Sequence, residues 1–542
     1  MLHRMRPPGF RGIFRQDDEA RAVYSESAGI ARAIPSAVAV PADAGDVSVL
    51  VRWAAESTTP LIPRGSGSSM AGGAVGSGVV VDLSRLDDLG AIDPAAGRIT
   101  VGPGAVRDVI DARAAEHGLR FPVDPSSGDF CTIGGMVATN AAGARSLRFG
   151  ATRRWVEALD CIFDDGTRAT VRRGIPPPAH VPAIDRFLRE VAPSVADGAP
   201  SHPGVLKEAS GYALAEFAHS GDLVDLLVGS EGTVALFVGI ELRLTERPAA
   251  TTGILASFGS LEEAVAAARA SRMAGASACE LLDRTFLEIA AAGGAAIPVP
   301  TATDAVIIAE AEGETPEEAS SLAASVAAAC RRAGATEVTV ALNAEEERRL
   351  WSFRHAASPA LSRLDPALAS MQFIEDGAVP PERLPEYVRG VRAALERQGI
   401  RGVIFGHAGD AHIHVNPLVD TRSADWRSRV DGLLEDVADL TARLGGTLAG
   451  EHGDGRLRTP LLDRVWSSEA IGLFRAVKVA FDPRGIFNPG VKVPTAGARP
   501  IGDVKYDPAL PPLPPGARHA LDAVARERGY ARFRLSLLPD RR

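Results

Sequence analysis

Short strand-like and helix-like segments alternate over the first half of the chain. Runs of apolar and β-branched residues predict strands at 38–41, 60–63, 78–83 and 99–101, and helical spacing predicts helices at 47–56 and 106–117. Two further runs, 155–163 and 167–171, flank the sequence Asp164-Asp165-Gly166, which is typical of a β-hairpin turn. Together these segments predict an α+β unit.

After Pro248 the pattern becomes a series of strand–helix–strand units. Strands are predicted at 253–258, 278–282, 305–309, 337–342, 371–375 and 402–407, and helices at 261–273, 316–334, 381–398, 421–445 and near 467–480. Such a series is typical of an antiparallel sheet backed by helices, as in split βαβ folds. The proline-rich run 500–515 predicts an extended strap over the surface.

The composition is that of a folded protein without a basic surface. Hydrophobic residues make up 46% of the 542 residues and charged residues 23%, which excludes disorder for the bulk of the chain. The formal charge of −9 leaves no basic footprint for a phosphate backbone, so nucleic acid is not an expected partner. The 55 glycines exceed ordinary usage of about 7% and concentrate in a few loops.

Cysteine usage and the N-terminus predict a cytoplasmic protein. The four cysteines lie far apart and form no C-x-x-C pair, so we expect buried free thiols. Arginines near the N-terminus are not followed by an apolar stretch, and no window reaches the ~20 apolar residues of a membrane-spanning helix. We expect a solvated N-terminal arm, with peripheral association at the inner face of the membrane as the alternative.

Three glycine-rich loops are candidates for contact with a ligand. The segment 63–73 holds four glycines and three serines, the donors that a pyrophosphate needs. It is not a Rossmann fingerprint, because Met70 stands where the third glycine would be. Alone, this loop is equally consistent with a surface turn. Two further loops, 124–143 and 229–233, favour the phosphate cradle.

Three of the eleven histidines stand within eight positions. Gly409-Asp410 can turn the chain, so a strand ending at His407 would face a strand whose alternate residues are His412, His414 and Asn416. Two imidazoles can therefore converge. Taken singly, each is equally explained as a polar histidine satisfied by backbone groups.

A carboxylate and a further histidine follow in a second segment. Glu451 and His452 are surrounded by Gly450, Gly453 and Gly455, so the loop carries little steric bulk. Two histidines and one carboxylate leave coordination positions open for a substrate, as catalytic metal sites require. The pattern therefore predicts a catalytic metal site.

The order of the glycine-rich motifs resembles the FAD-binding domain of the vanillyl-alcohol oxidase and p-cresol methylhydroxylase superfamily. The motifs are P-R-G-S-G-S-S from 63, D-P-S-S, T-I-G-G and N-A-A-G between 124 and 143, and G-S-E-G-T from 229. The resemblance implies that FAD contacts the following residues: Arg64, Gly65, Ser66, Gly67, Ser68 and Ser69 at the phosphates, and Pro125, Thr132, Gly135, Asn140, Gly143, Gly232 and Asn488 elsewhere. It implies non-covalent FAD, since no histidine or cysteine occurs at 63–73, with Cys131 as the alternative attachment point.

The motifs G-H-A-G-D and G-E-H-G-D-G resemble the D-2-hydroxy-acid dehydrogenase branch of that superfamily. By this resemblance a divalent metal, zinc or manganese, is bound by His407, His414 and Glu451, with His452 as general base and Asn416 as a substrate contact. The common family motif has Gly and Asn where this chain has Ala411 and His412. His412 therefore stays open as an alternative to His414.

Arg354, in the sequence L-W-S-F-R, matches a family arginine that binds the substrate carboxylate. A guanidinium suits that role because it can donate two parallel hydrogen bonds. The alternative is a surface arginine on an amphipathic helix. The segment 373–380 resembles an E-D-x-A-V-P strand of family members fused to iron–sulfur domains, whereas this chain has no cysteine-rich segment.

The resemblance implies oxidation of a small D-2-hydroxy acid to a 2-oxo acid. The branch includes D-lactate and D-2-hydroxyglutarate dehydrogenases and the glycolate oxidase flavin subunit. The resemblance also implies that the protein forms a homo-oligomer and passes electrons to an acceptor. The acceptors expected are a quinone, a cytochrome, an electron-transfer flavoprotein or an iron–sulfur protein. Two alternatives stay open: an enzyme similar to alkylglycerone-phosphate synthase, which uses flavin without net redox, and a flavin-binding subunit inactive without a partner.

Five regions follow from these changes of pattern. They are an N-terminal arm at 1–30, an FAD-binding domain at 31–250, a substrate or cap domain at 251–445, a segment returning to the flavin and metal at 446–495, and a proline-rich extension at 496–542.

Overall fold

Three larger sheets organise the computed structural model, which describes residues 6–196, 198–294, 299–355 and 368–539. The strands are β1 Ile13–Arg15, β2 Ala37–Val40, β3 Leu61–Arg64, β4 Val79–Asp82, β5 Leu89–Asp93, β6 Arg98–Val101, β7 Leu119–Arg120, β8 Val156–Ile162, β9 Arg168–Arg172, β10 Leu236–Arg243, β11 Thr245–Glu246, β12 Ala250–Phe258, β13 Ala278–Asp283, β14 Ala305–Gly313, β15 Glu337–Val340, β16 Leu368–Ser370, β17 Gly377–Ala378, β18 Arg401–Gly406 and β19 His412–Asp420.

Helices cover these sheets and fill the connections between them. The α-helices are Asp18–Val23, Ala44–Ser57, Arg107–Ala115, Ile133–Thr139, Ser146–Phe149, Pro182–Glu190, Ala192–Ala196, Leu214–Ser220, Leu223–Leu227, Leu261–Met273, Arg284–Ala292, Pro316–Arg332, Ala344–His355, Leu384–Arg397, Trp426–Arg443, Gly455–Arg458, Leu462–Val465, Ser468–Phe481 and Pro515–Glu527. The longer ones start at Ser, Thr or Asp caps in several cases, as at Asp43, Ser260 and Thr315.

The first sheet delivers the first glycine-rich loop. Its order is β1-β2-β4-β3, with β2 and β3 parallel to β4. Helix Ala44–Ser57 connects β2 to β3 and buries Leu50, Val51 and Ala54 against the sheet. Because β3 ends at Arg64, the loop that begins at Gly65 leaves from the carboxyl end of a parallel strand, where ligands of such sheets bind.

The second sheet is antiparallel and has the order β5-β6-β10-β8-β9. Its predicted hairpin is confirmed, since β8 and β9 pair with Ile162 opposite Arg168 around the Asp-Asp-Gly turn. Helix Ile133–Thr139 packs its buried residues, Val137 among them, into the same core, which also holds Val228 beside the third loop. The second and third glycine-rich loops thus leave from one packed unit.

The third sheet has eight antiparallel strands, which confirms the predicted antiparallel sheet backed by helices. Seven of them follow the order β15-β12-β14-β13-β18-β19-β16, and β17 pairs with β19. Helices Leu261–Met273, Pro316–Arg332, Leu384–Arg397 and Trp426–Arg443 share one hydrophobic core with the strands. This order places β13 beside β18 although more than 100 residues separate them in sequence.

The predicted strand at 371–375 is wrong. Strands form instead at 368–370 and 377–378, and the residues between them are irregular. At the end of this stretch the carbonyl oxygen of Glu375 and the side chains of Glu375 and Asp376 bond to histidines rather than to a neighbouring strand.

The two ends of the chain are more ordered than the sequence suggests. The expected solvated arm is wrong for residues 10–24, because Phe10 and Tyr24 are buried and β1 pairs with β2. Near the C-terminus, residues 500–514 are irregular as expected, but helix Pro515–Glu527 follows and was not predicted. The available signal was the helical spacing of four apolar residues, all of them buried: Ala517, Ala520, Leu521 and Val524.

The structure also bears on the cysteines and on membrane-spanning helices. All four cysteines are free and buried, as predicted. Among the described residues, no helix combines the length and the apolar content that crossing a lipid bilayer requires.

Candidate functional site

A β-hairpin brings three histidine rings together. β18 leads to His407, the chain turns through Gly409-Asp410, and β19 begins at His412, so that Phe405 pairs with His414. The hairpin expected from the sequence is therefore confirmed. The centroids of the three imidazole rings lie 4.6 to 5.5 Å apart. These rings and Glu451 form the histidine cluster, whose four ligand atoms lie within 4.8 Å of one another.

Asp376 holds the loop that carries Glu451 against this hairpin. Its carboxylate accepts hydrogen bonds from the backbone N–H groups of Glu451 at 3.2 Å and His452 at 2.9 Å, and from Nε2 of His412 at 2.9 Å. Burial would raise the pKa of Asp376, but the charges of His452 and Arg458 and these donors hold it below its ordinary value. The carboxylate stays ionised and fixes the loop.

Three potential ligand atoms converge beside Asp376. The Nε2 atoms of His407 and His414 each lie 3.3 Å from Oε1 of Glu451. On the far side of each ring, Nδ1 of His407 lies 2.5 Å from Glu280, and Nδ1 of His414 lies 2.6 Å from the backbone carbonyl oxygen of Glu375. Because a carbonyl only accepts, Nδ1 of His414 carries the proton and Nε2 presents its lone pair toward Glu451. Metal-binding histidines are held in this way.

The charges around this point are those of a cation site. Burial would lower the pKa of His407, but Glu280 and Glu451 raise it to about 9. Burial would raise the pKa of Glu451, but the charges of Lys207 and His407 hold it well below its ordinary value. Nζ of Lys207 lies 2.8 Å from Oε2 of Glu451, which leaves Oε1 directed at the two imidazoles. Two nitrogens and one carboxylate oxygen suit a divalent metal.

His412 belongs to the histidine cluster but has both ring nitrogens engaged. Nε2 lies 2.9 Å from Asp376, and Nδ1 lies 3.4 Å from Nζ of Lys207. Burial and the positive charge of Lys207 lower the pKa of His412 to about 3, so its ring is neutral. A metal at His412 would have to displace the ammonium group, whereas Nε2 of His414 faces Glu451 directly.

His452 stands at the edge of the histidine cluster. Its side chain is 27% exposed, whereas Glu451 is buried. Nδ1 lies 3.3 Å from Oε1 of Glu375, which also pairs with the buried Arg458. Burial opposes the protonation of His452, but Asp376 and Glu375 raise its pKa above the ordinary value. An imidazole oriented by a carboxylate at Nδ1 can accept a proton from a bound substrate at Nε2.

Arg354 approaches the histidine cluster from helix Ala344–His355. Its Nε donates to Oε2 of Glu280 at 2.7 Å, and its guanidinium lies 5.0 Å from the ring centre of Phe405. The alternative of a surface arginine is wrong, because Arg354 is 7% exposed. Asn416 lies two residues beyond His414 on β19. A buried guanidinium beside the cluster suits the carboxylate of a small acid.

A cavity of about 1090 Å³, called the main cavity below, joins the histidine cluster to the glycine-rich loops. It is lined by all six predicted phosphate contacts from Arg64 to Ser69, and by Pro125, Thr132, Gly135, Gly232 and Asn488. It is also lined by Arg354, His407, His414, Asn416, Glu451 and His452, but not by His412. The structure thus brings most of the predicted cofactor contacts and the predicted catalytic and metal-binding residues to one cavity.

The glycine-rich loops approach one another closely enough to exclude side chains. A Cβ at Gly65 would lie 2.1 Å from Oγ1 of Thr132, and one at Gly232 would lie 2.3 Å from Cγ of Pro63. The hydroxyl of Ser69 is buried without a hydrogen-bond partner in the part of the chain that the structure describes. Backbone and hydroxyl donors arranged in this way fit the pyrophosphate of a dinucleotide such as FAD.

The guanidinium of Arg64 donates most of its hydrogen bonds to backbone carbonyls of the protein itself. It donates to the backbone carbonyls of Glu26 at 2.9 Å, Tyr24 at 3.2 Å and Ala74 at 3.4 Å. Its Nε is buried without a partner among the described residues. Burial lowers the pKa of Arg64. Nε is therefore the guanidinium nitrogen that has no partner among the described residues.

Three other predicted cofactor contacts hold the loops together. Asn488 donates to the carbonyls of Gly73 at 3.1 Å and Glu231 at 2.8 Å, and so ties the first loop to the third. Asn140 does not line the main cavity; its Oδ1 accepts from the backbone of Arg153 at 2.9 Å. Gly143 does not line it either, and a Cβ there would lie 2.3 Å from the backbone oxygen of Asp124.

Sequence reasoning assigned no role to several residues that support the histidine cluster, namely Lys207, Glu280, Glu375, Asp376 and Arg458. The signal for Glu280 was an acid flanked on both sides by apolar residues of β13, a strand that is buried throughout. The signal for Glu375 and Asp376 was that two adjacent acids precede Gly377. Lys207 and Arg458 carried no local signal.

Comparison with known families gives two matches along the chain. Residues 35–172 match the family described as FAD binding domain, and residues 247–491 match the family described as FAD linked oxidases, C-terminal domain. Glycolate oxidase subunit GlcD of Bacillus subtilis is 31% identical over 487 residues, which cover 88% of this chain and 93% of the relative.

Two other relatives carry related names. D-lactate dehydrogenase of Archaeoglobus fulgidus is 29% identical over 460 residues, covering 84% of this chain and 90% of the relative. D-2-hydroxyglutarate dehydrogenase of Xanthomonas citri is 29% identical over 470 residues, covering 84% of this chain and 89% of the relative.

Among solved structures, 4-ethylphenol oxidase from Gulosibacter chungangensis matches with a TM-score of 0.65 at 16% identity, covering 89% of this chain and 94% of that one. An alkyldihydroxyacetonephosphate synthase matches with a TM-score of 0.61 at 15% identity, covering 88% and 83%. At these identities the likeness shows a shared fold alone.

Proposed function

The chain belongs to the family of FAD-linked oxidases, and we propose that it oxidises a D-2-hydroxy acid to the corresponding 2-oxo acid with FAD and one divalent metal ion. Its fold is the two-domain FAD-binding fold of the vanillyl-alcohol oxidase type. One observation carries the proposal: two imidazole nitrogens each lie 3.3 Å from one carboxylate oxygen beside the main cavity. The names of the relatives support the substrate class, since glycolate, D-lactate and D-2-hydroxyglutarate are all 2-hydroxy acids.

His407, His414 and Glu451 would hold the metal, which we propose to be zinc or manganese. The engagement of His412 with Asp376 and Lys207 supports the choice of His414 as the second histidine ligand. When bound, the metal makes the substrate hydroxyl more acidic, and FAD accepts the two electrons and the hydrogen of the C2–H bond as a hydride.

The side chains of this protein then bind the acid and move one proton. Arg354 pairs with the substrate carboxylate, and Asn416 donates a hydrogen bond to the bound acid. Nε2 of His452 takes the hydroxyl proton, while Glu375 keeps its ring oriented through Nδ1. Loss of this proton, together with loss of the C2 hydrogen as a hydride, would leave the 2-oxo acid.

We propose that FAD is held without a covalent bond. Cys131 lines the main cavity and was the alternative attachment point. Burial raises the pKa of its thiol to about 12, so that it stays protonated.

Two other functions have weaker support. A reaction similar to that of alkylglycerone-phosphate synthase needs no metal, so it would leave the histidine cluster without a use. A flavin-binding subunit without activity of its own would bind FAD in the same way, but a 2-hydroxy acid would not reduce its flavin.

The test is anaerobic mixing of the FAD-loaded chain with single 2-hydroxy acids while the flavin absorbance is followed. We expect bleaching by glycolate or by a D-acid, with D-lactate and D-2-hydroxyglutarate tested first and their L-enantiomers as matched controls. His452→Asn serves as a second control and should bleach far more slowly. If dithionite bleaches the flavin but no 2-hydroxy acid does, the proposed function is wrong.

A further inference from the structure

The C-terminal segment, defined here as residues 513–538, lies outside both family matches, the later of which ends at residue 491. Its helix Pro515–Glu527 packs Ala517 and Leu521 into a core with Tyr24 and with Val38 of β2. The backbone N–H of Ala517 donates to Glu19 at 2.9 Å. This segment is therefore docked on the first sheet.

Beyond this helix the segment reaches two of the glycine-rich loops. Arg528 donates from Nη2 to the carbonyl oxygen of Ser126 at 3.0 Å. Arg534 donates from Nη2 to the carbonyl oxygen of Ser66 at 3.1 Å. Ser66 and Ser126 both line the main cavity. The segment thus bridges the first and second loops at the place where they border the cavity.

Arg528 and Tyr530 themselves form part of the cavity wall. Both line the main cavity, together with Phe130 of the second loop. The ring centres of Phe130 and Tyr530 lie 5.1 Å apart, and the guanidinium of Arg528 lies 5.1 Å from the ring centre of Phe130. Aromatic faces and a guanidinium are the groups on which a nucleotide base stacks.

Positive charge accumulates at this end of the main cavity. Arg64 and Arg534 are 2% and 3% exposed, and their charges repel each other. Burial and Arg64 lower the pKa of Arg534 to about 10, and Asp82 is a carboxylate that acts on both guanidinium groups. Nε of each arginine is buried without a partner among the described residues. Of the two arginines, Arg64 lines the main cavity, so a bound diphosphate would supply an acceptor for its Nε and a negative charge beside both guanidinium groups.

The direction of FAD in the main cavity follows from its chemistry. Its ring must meet the substrate beside the histidine cluster, a step that rests on the proposed function, so its other half faces the remaining end. We propose that Arg528 and Tyr530 bind the AMP half of FAD, and that Arg534 positions the first loop for the diphosphate. The C-terminal segment is then part of the cofactor site, and cofactor selectivity depends on it.

The experiment measures binding to the apoprotein by quenching of flavin fluorescence. Arg528→Ala, Tyr530→Ala and the double variant are compared with Arg532→Ala, a matched control in the same segment whose side chain is half exposed, pairs with Glu527 and does not line the cavity. We expect the Kd for FAD to rise about tenfold or more in the double variant. The Kd for FMN, which lacks the AMP half, should stay within twofold, and ADP should no longer compete with FAD.

Two outcomes would overturn the proposal. One is a Kd for FAD in the double variant that equals that of Arg532→Ala. The other is an equal loss of FMN and FAD affinity, which would mean that the segment only supports the fold. Flavin bleaching by a 2-hydroxy acid is scored separately in the same preparations, so failure of this proposal is distinguishable from failure of the proposed function.

Discussion

Oε1 of Glu280 lies 2.5 Å from Nδ1 of His407, although 127 positions separate the two residues in sequence. Glu280 lies in β13, and His407 directly follows β18. The two strands are antiparallel neighbours, and Leu281 of β13 pairs with Gly406 of β18. The second oxygen of Glu280 accepts from Arg354 at 2.7 Å. One buried carboxylate therefore holds both a proposed metal ligand and the proposed carboxylate-binding residue.

Glu280→Gln should weaken metal binding about 10–100-fold, because the charged partner that orients His407 is lost. FAD content should not change, since Glu280 does not line the main cavity. Metal affinity is measured by competition with a chelator. Glu288→Gln is the matched control, because its carboxylate is half exposed and, among the described residues, pairs with the surface arginines Arg284 and Arg401. Equal metal affinity in the two variants would contradict this role.

Chelation should abolish turnover without releasing flavin, because the proposed metal ligands His407, His414 and Glu451 are not among the residues predicted to hold FAD. Elemental analysis of the untreated protein should find one divalent ion per chain. Among variants, His414→Ala should lose more metal than His412→Ala, since Nε2 of His414 faces Glu451 while His412 is bonded to Asp376 and Lys207. The reverse order would show that His412 is the ligand.

His452→Ala should lower the rate of flavin reduction about 10²–10⁴-fold, the usual range for removing a general base. Substrate affinity and flavin content should stay close to those of the wild type, because His452 is proposed only to move a proton. Stopped-flow mixing under anaerobic conditions separates the two quantities. A variant that reduces flavin at the wild-type rate would show that the proton leaves by another route.

Arg354→Ala should act mainly on KM, because a carboxylate contact is made in the ground state and in the transition state alike. Truncating one partner of a buried charged pair costs about 2–5 kcal/mol, and here it also leaves Glu280 without that partner. Arg354→Lys should recover only part of the loss, since an ammonium cannot form the bidentate contact. Steady-state kinetics of both variants checks this. A fall in kcat at constant KM would argue for a different role.

Asp283 should make the folded protein less stable as pH rises. Burial raises the pKa of its carboxyl to about 7, against the opposing charge of Arg392 and with added repulsion from Asp304. Between about pH 4 and pH 7 the folded state binds more protons than the unfolded state, so the free energy of unfolding falls by at most about 4 kcal/mol.

Asp283→Asn keeps the helix-capping acceptor for the N–H of Phe286 but removes the titrating group. We expect it to be more stable than the wild type at pH 8 and close to it at pH 4.5. Urea unfolding at the two pH values measures this. A stability difference that does not depend on pH would contradict the titration of Asp283.

The sequence by itself determined the features that depend on short-range chemistry. Glycines at 65 and 232 are required where loops approach within a side chain's width, and their spacing was visible without a structure. The period of two along His412, His414 and Asn416 placed these residues on one face of a strand. The helix over 515–527 was not predicted, although its apolar spacing is present in the sequence, because the prolines that precede it favour an extended backbone.

Only the tertiary structure decided how the histidine cluster is supported. His412 and His414 share a strand face and cannot be ranked by sequence, yet one meets Lys207 and the other meets Glu451. Likewise, the apolar residues around Glu280 indicate that its carboxylate is buried but not which partners it meets. Sheet order and loop packing bring such residues together across more than 100 positions, and a buried charge is stable only where those distant partners surround it.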